Sequence, residues 1–316
     1  MYKKILVPLD GSAVAEGVLP YVRTFAASLN IPVHLLQVID PDTLIASRTG
    51  ELGLSHNIST AEREHNGDYL KKMAAALPNP AAASFSVRIG KPAEVIIEVA
   101  TPERETLIAM ATHGRSGARR WLLGSVAEKV LNGAESDVLL IRAEQIENGK
   151  ATGQVKRLVV PLDGSELAER VLPRAVELAK KMHLDMLLLR AYLMPGVAYP
   201  TGAYAPDWKL LDEEQKEIVS EYLERKIKEL RDAGLERVFF TVQEGSAAEK
   251  IIDVARENPE SLIAMSPHGV GGVGRWVFGS ITLRVIRHAE TAVLVIRAKT
   301  DEAEASSELK GWKLYG

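Results

Sequence analysis

The chain of 316 residues contains no cysteine. Disulfides, thiolate metal sites and a cysteine nucleophile are thereby excluded, and a reducing compartment, most simply the cytoplasm, is the expected location. Neither sign of charge predominates, the formal net charge being -3. Nucleic-acid binders usually carry a clearly basic domain or stripe, so no nucleic-acid partner is expected. Uncharged apolar runs approaching the roughly 18 residues of a membrane span are missing. The start, MYKKILVPLD, shows no secretory apolar region, and no membrane partner is expected. Two catalytic signatures are absent as well: the G-x-x-x-x-G-K-[ST] phosphate loop and the G-x-S-x-G nucleophile elbow.

What is present is ordinary globular composition, 46% hydrophobic and 26% charged, enough to fill a core in each of two domains of about 150 residues. The chain also repeats itself. KILVPLDGSAVAEGVLP from Lys4 aligns without a gap on RLVVPLDGSELAERVLP from Arg157. GKPAEVI at Gly90 answers GSAAEKI at Gly245, LIAMATHG at Leu107 answers LIAMSPHG at Leu262, and DVLLIRA at Asp137 answers AVLVIRA at Ala292. Order is kept throughout, which marks a tandem duplication of a whole fold. The copies are read as residues 1–143 and 155–299, joined by a polar linker at 144–154 and followed by a charged, then aromatic tail at 300–316.

Within the first copy, short apolar runs suit five buried strands: Ile5 to Leu9, Val33 to Ile39, Phe85 to Ile89, Thr106 to Ala111 and Asp137 to Ile141. Helical spacing predicts helices over Ala13 to Leu29, Ala61 to Leu77, Pro92 to Ala100 and Ser125 to Asn132. The second copy repeats the scheme, with its long helix near Asp212 to Ala233. Alternating strands and helices predict an α/β fold: two tandem copies of an open, mostly parallel five-stranded sheet with helices on both faces, a Rossmann-like arrangement. Ligands in such folds sit outside the carboxyl ends of the strands, where strand order reverses.

Two loops fall at such ends. ATHGRSGARRWLLGS from Ala111 and SPHGVGGVGRWVFGS from Ser266 share a His-Gly, an Arg-Trp and a Gly-Ser at identical spacing. A glycine-bearing loop that restarts as a helix offers backbone N–H groups and a positive helix end to an anion. Gly124-Ser125 and Gly279-Ser280 also read as routine helix N-caps, and Asp10 and Asp163 read either as caps or as ligand contacts. His113 and His268 recur without carboxylates or histidines at metal-ligand spacing, so a packing role is expected of them and no metal.

The motifs VPLDGS, GKPAEVI, THGRSG, GSVAEKV and VLLIR together resemble the universal stress protein family in its tandem two-domain form. The resemblance covers nearly the whole chain, twice, and implies the adenine nucleotide alpha hydrolase-like form of the Rossmann-like fold. Members that bind ATP share Gly, two residues, Gly, nine residues, then Gly with Ser or Thr. Here the later part stands as Gly114 with Gly124-Ser125 and as Gly269 with Gly279-Ser280, whereas Ala111 and Ser266 occupy the first glycine position. The resemblance implies ATP or AMP as a ligand, with or without Mg, bound without turnover by a stress-response or signalling module. It puts Asp10 and Asp163 near the ribose end and the backbones of Val38 and Ala191 at the adenine, and counts Pro8 and Pro161 among the nucleotide contacts. Gly114, Gly124, Ser125 and Val126, and Gly269, Gly279, Ser280 and Ile281, would then cradle phosphates, with Arg115 as an extra cation in the first copy. A Cβ at 111 or 266 obstructs binding if the position needs a positive φ or direct backbone contact with the ribose, and is tolerable if it is merely a strand end. The family also implies that the last strands pair across a two-fold axis, giving a pseudo-dimer within this chain and leaving a homodimer open. The competing readings are a nucleotide-independent interaction scaffold and a very slow ATP hydrolase.

Overall fold

The computed structural model describes residues 1–42, 60–113, 123–194, 207–267 and 278–297. The first copy runs β1 (Lys4–Pro8), α1 (Ala13–Glu16), α2 (Leu19–Leu29), β2 (Val33–Ile39), α3 (Thr60–Ala75), β3 (Ala83–Ile89), α4 (Pro92–Ala100), β4 (Thr106–Ala111), α5 (Ser125–Gly133) and β5 (Asp137–Ile141). After a connecting helix α6 (Ala143–Glu147), the second copy runs β6 (Arg157–Pro161), α7 (Glu166–Glu169), α8 (Leu172–Met182), β7 (Asp185–Tyr192), α9 (Trp208–Asp232), β8 (Val238–Glu244), α10 (Ala247–Glu257), β9 (Ser261–Met265), α11 (Ser280–His288) and β10 (Ala292–Val295).

The strands form one sheet in the order β3-β2-β1-β4-β5-β10-β9-β6-β7-β8. All neighbours are parallel except β5 and β10, which run antiparallel and fuse the two five-stranded halves. Leu139 faces Leu294 in that pairing, and the two are equivalent positions of the repeat, so the pseudo-two-fold axis passes between them. Strand order reverses between β1 and β4 in one half and between β6 and β9 in the other. Alternation along the strands fills both faces. Ile5, Val7, Leu107 and Ala109 point to the side covered by α1, α2, α3 and their second-copy equivalents. Leu6, Ile108 and Met110 point to the side covered by α4, α5, α10 and α11.

The first expected helix is broken. Residues 13–29 form α1 and α2, separated at Gly17 and Val18, because Pro20 stands in the first turn of α2 and its ring would clash with the carbonyl four residues earlier in a continuous helix. Pro173 divides α7 from α8 in the same way. The connector also has structure that its polar composition conceals. Gln145 of α6 is buried, and a Cβ on Gly17 would lie 2.2 Å from Ile146. Beyond the helix, Gly153 (φ +75) accepts a hydrogen bond from Thr24 Oγ1 at 2.8 Å.

The junction carries an ionic cluster on one side of the axis. Asp137 is 8% exposed. It accepts from Tyr2 Oη at 2.7 Å and from the Arg297 backbone N–H at 2.7 Å, while Arg174 Nε stands 3.7 Å away. The Arg174 guanidinium lies 4.6 Å from the centre of the Tyr2 ring. Burial first, then Asp137, pushes the Tyr2 phenol well above its ordinary range, so it remains a donor. Arginines from the two last strands cross the junction: Arg142 donates to Ala289 O at 3.0 Å, and Arg297 donates to Leu131 O. Each thereby serves carbonyls at the end of the other copy's helix, where a positive charge complements the helix dipole.

At the outer edge of the first half, His34 of β2 lies between two hydroxyls of β3, with Nδ1 2.8 Å from Ser84 Oγ and Nε2 2.9 Å from Ser86 Oγ. Burial, then Lys4 and Arg88, lowers its pKa; burial, then Arg142, Arg284 and Arg287, lowers that of His288. A histidine with a depressed folded pKa binds fewer protons native than unfolded. Its contribution is therefore complete above about pH 6.5, the unfolded value, and is lost as pH falls toward the folded one. Denaturant midpoints should decline between pH 7.5 and 5.5, and His34→Gln should make that decline shallower; an unchanged slope would remove His34 from the account.

Candidate functional site

The loop after β1 reads Leu9-Asp10-Gly11-Ser12, and that after β6 reads Leu162-Asp163-Gly164-Ser165. Gly11 and Gly164 take φ of +80 and +87, a conformation that bends the chain sharply into the next helix. Asp10 Oδ1 accepts from Ser12 N at 3.0 Å and Ser12 Oγ at 2.6 Å, and Ser12 Oγ accepts from Ala15 N at 3.1 Å. The second copy repeats this with Asp163, Ser165 and Ala168 at 2.9, 2.6 and 3.1 Å. Ser12 and Ser165 are thus the helix caps, which removes capping from the alternatives open to Asp10 and Asp163; their carboxylates instead buttress the loop that follows the strand. Pro8 and Pro161 are the half-buried last residues of β1 and β6.

Pro8 lies beside Leu36 as Pro161 lies beside Leu189, so Val38 and Ala191 hold equivalent places near the ends of β2 and β7. Both are half-buried. Ala111 is the buried last residue of β4, beside Ile141, and Ser266 directly follows β9, its carbonyl accepting from Thr282 Oγ1 at 3.2 Å. Neither has a positive φ, since Asn30 and His183 are the non-glycine residues that do among those described. Neither position therefore demands a positive φ.

Gly124 is required for closeness rather than for an unusual φ. It caps α5 with φ -62 and ψ 146, its N–H donates to Thr112 O at 2.9 Å, and a Cβ would stand 2.7 Å from that same oxygen. Gly279 caps α11 at φ -60 and ψ 145, donating to Pro267 O at 2.9 Å. Ser125 and Ser280 open their helices with exposed side chains; Val126 packs on the second-face core, whereas Ile281 is exposed. The first N–H groups of both helices lack intrahelical acceptors, as at any helix start. Asp10 from β1 and the α5 start after β4 accordingly flank one reversal of strand order, and Asp163 and the α11 start flank the other. Gly114, Arg115, Gly269 and His268 lie outside the described residues. Thr112 Oγ1 is 3.2 Å from His113 Nδ1 and accepts from Ala143 N at 3.2 Å, which ties the β4 loop to α6. Among the described residues, no group of three or more histidines, aspartates or glutamates could hold a metal, and no helix is long and apolar enough to cross a membrane.

Two further sets of charges went unnoticed in the sequence. In the first copy, Lys91 at the start of α4 reaches Asp42 and, at 3.7 Å, Asp40 at the end of β2. In the second, Tyr222 of α9 donates to Glu169 Oε1 at 2.9 Å, and Lys226 pairs with Glu169 Oε2 at 2.9 Å. The Arg190 guanidinium lies 4.6 Å from the centre of the Tyr222 ring. Aligning YLKKM at Tyr69 with YLERK at Tyr222 would have exposed the second set, because Met73 meets Lys226 and Gln37 meets Arg190.

A model of the universal stress protein family matches residues 1–142 and 154–297. A universal stress protein of Mycolicibacterium smegmatis is 21% identical over 296 residues, covering 93% of this chain and 97% of the relative. One from Methanocaldococcus jannaschii is 32% identical over 156 residues, covering 46% of this chain and 86% of the relative. The crystal structure of a universal stress protein from Archaeoglobus fulgidus superposes with a TM-score of 0.63 at 21% identity, covering 95% of this chain and all of that one.

Proposed function

The chain belongs to the universal stress protein family, and on that premise we propose that the carboxyl ends of its two half-sheets bind an adenine nucleotide, ATP or AMP, as a ligand that biases conformation or partner choice rather than as a substrate. The observation that carries this reading is the closeness of Gly124 to Thr112 O, which presses the start of α5 against the end of β4, so that the first N–H groups of the helix open at the carboxyl edge of the sheet, the edge on which Asp10 follows β1. Phosphates would take those N–H groups and the glycine-bearing loop, the ribose would meet Asp10 or Asp163, and the adenine would lie against Val38 or Ala191. A role for Mg would be confined to screening the phosphates.

Calorimetry with ATP and AMP on the intact chain tests this, together with mass spectrometry of nucleotide released by heat from freshly purified protein. Gly124→Val should remove binding by the first copy, because the new side chain meets a backbone carbonyl that cannot move aside; the associated overpacking should cost the fold about 1 to 3 kcal/mol. Absence of any adenine nucleotide in both measurements would turn the choice toward the nucleotide-independent scaffold.

A further inference from the structure

The position that precedes Val38 in the first copy and Ala191 in the second differs in charge. Gln37 is 5% exposed, and its Oε1 has no hydrogen-bond donor among the described residues. Arg190, its equivalent, is half-buried. Its Nη2, Cζ and Nη1 lie 3.0, 3.1 and 3.1 Å from where a Cβ on Gly164 would stand, so the guanidinium rests on the backbone directly after Asp163. It also packs against Tyr222, whose hydroxyl is tied to Glu169, itself tied to Lys226. Burial and Glu169 raise the Tyr222 pKa, keeping the phenol a donor and the ring fixed. A guanidinium held flat in this way has lost most of its rotamer freedom and presents planar N–H donors, the geometry suited to two phosphate oxygens at once. No hydrogen bond or ion pair within the described residues engages those donors.

Resting on the nucleotide reading above, we infer that the second copy is selective for an adenine nucleotide bearing a phosphomonoester on the 2′ or 3′ position of its ribose, with Arg190 as the receptor for that phosphate. Placement supports the assignment: the guanidinium lies over the residue next to the carboxylate that would face the ribose, at the end of the second strand of its half. In doubly wound nucleotide folds, an arginine near the ribose carboxylate can accommodate a ribose phosphate in the same manner. In the first copy Gln37 is neutral and buried, and plain ribose suffices. Arg88, the exposed cation nearest Val38 in register, belongs to the opposite face of the sheet from Gln37 and stacks on no ring among the described residues.

The test compares AMP with adenosine 2′,5′-bisphosphate and adenosine 3′,5′-bisphosphate by calorimetry on the full chain carrying Gly124→Val, which leaves the second copy to report. At least one bisphosphate should bind roughly tenfold or more tightly than AMP, the size of a charge-assisted hydrogen bond. Arg190→Gln, which installs the residue the first copy already uses, should abolish that preference while leaving AMP affinity within about twofold. Gln37→Arg in a chain whose second copy is blocked by Gly279→Val should create the preference in the first; failure there with success of Arg190→Gln would still support Arg190. Equal affinity for all three ligands, or a preference that survives Arg190→Gln, overturns the inference while leaving nucleotide binding intact. Binding of none of the three to this chain or to the wild type overturns both.

Discussion

Replacing Asp137 with alanine should lower the unfolding free energy by about 3 to 5 kcal/mol, the usual consequence of removing one partner from a buried charge pair. The substitution strands three groups together: the Arg174 guanidinium, the Tyr2 hydroxyl and the Arg297 backbone N–H, all inside the junction. The other side of the pseudo-two-fold supplies the control. There Val155, Ala292 and Tyr21 stand where this side has Tyr2, Asp137 and Arg174, and Ala292 and Tyr21 are both buried. The triple variant Tyr2→Val, Asp137→Ala, Arg174→Tyr copies that apolar arrangement and should recover most of the loss. Equilibrium urea denaturation of both variants provides the measurement. A single-variant loss under about 1 kcal/mol would place the cluster with solvent-screened pairs of little worth.

Placing a carboxylate at Leu140 should be more damaging still. Leu140 is 2% exposed and faces Val293 where the two halves pair. Leu140→Ala alone should cost about 2 to 5 kcal/mol through lost burial and the cavity left behind. Leu140→Asp adds the desolvation of a charge with no partner and should exceed that. Because the lesion sits at the junction, hydrogen exchange should accelerate first at the amides of β5 and β10, with thermal unfolding splitting into two steps as the halves melt independently. One sharp transition at the wild-type midpoint would show that the β5–β10 pairing contributes little to cohesion.

Much of this architecture is legible in the sequence because the repeat supplies each pattern twice. The five strands of each half, the α4 helix with Pro92 in its first turn, and the apolar last strands that need a partner all follow from periodicity and turn chemistry. The break at Gly17 does not, because the spacing of apolar residues continues through it and the decisive facts are the place of Pro20 and the packing of Ile146 from a distant segment. The site is readable in type but not in detail. Gly124 reads in the sequence as a helix cap, and its backbone is ordinary; the constraint on it is the carbonyl of Thr112, brought close only by the fold. Ala111 and Ser266 look like defects in a motif, yet neither has the positive φ that favours glycine. Arg190, a lone arginine in an apolar strand, carries no motif; it gains meaning only when Gly164 and Tyr222, the latter held by Glu169, meet it from other elements.

The antiparallel pairing of β5 with β10 has a consequence for how such a chain can vary. In a dimer of identical subunits, any substitution near the axis appears twice, and a charge introduced on one side must be tolerated by its own duplicate. Covalent fusion removes that restriction. A single mutation then alters one side alone, so an aspartate can arise opposite an arginine while the matching positions across the axis remain alanine and tyrosine. The same freedom extends to the carboxyl ends of the strands, where Gln37 and Arg190 diverge. One polypeptide can therefore carry two differently charged ends, at a fixed one-to-one ratio and in a single sheet, which an assembly of interchangeable subunits could not maintain.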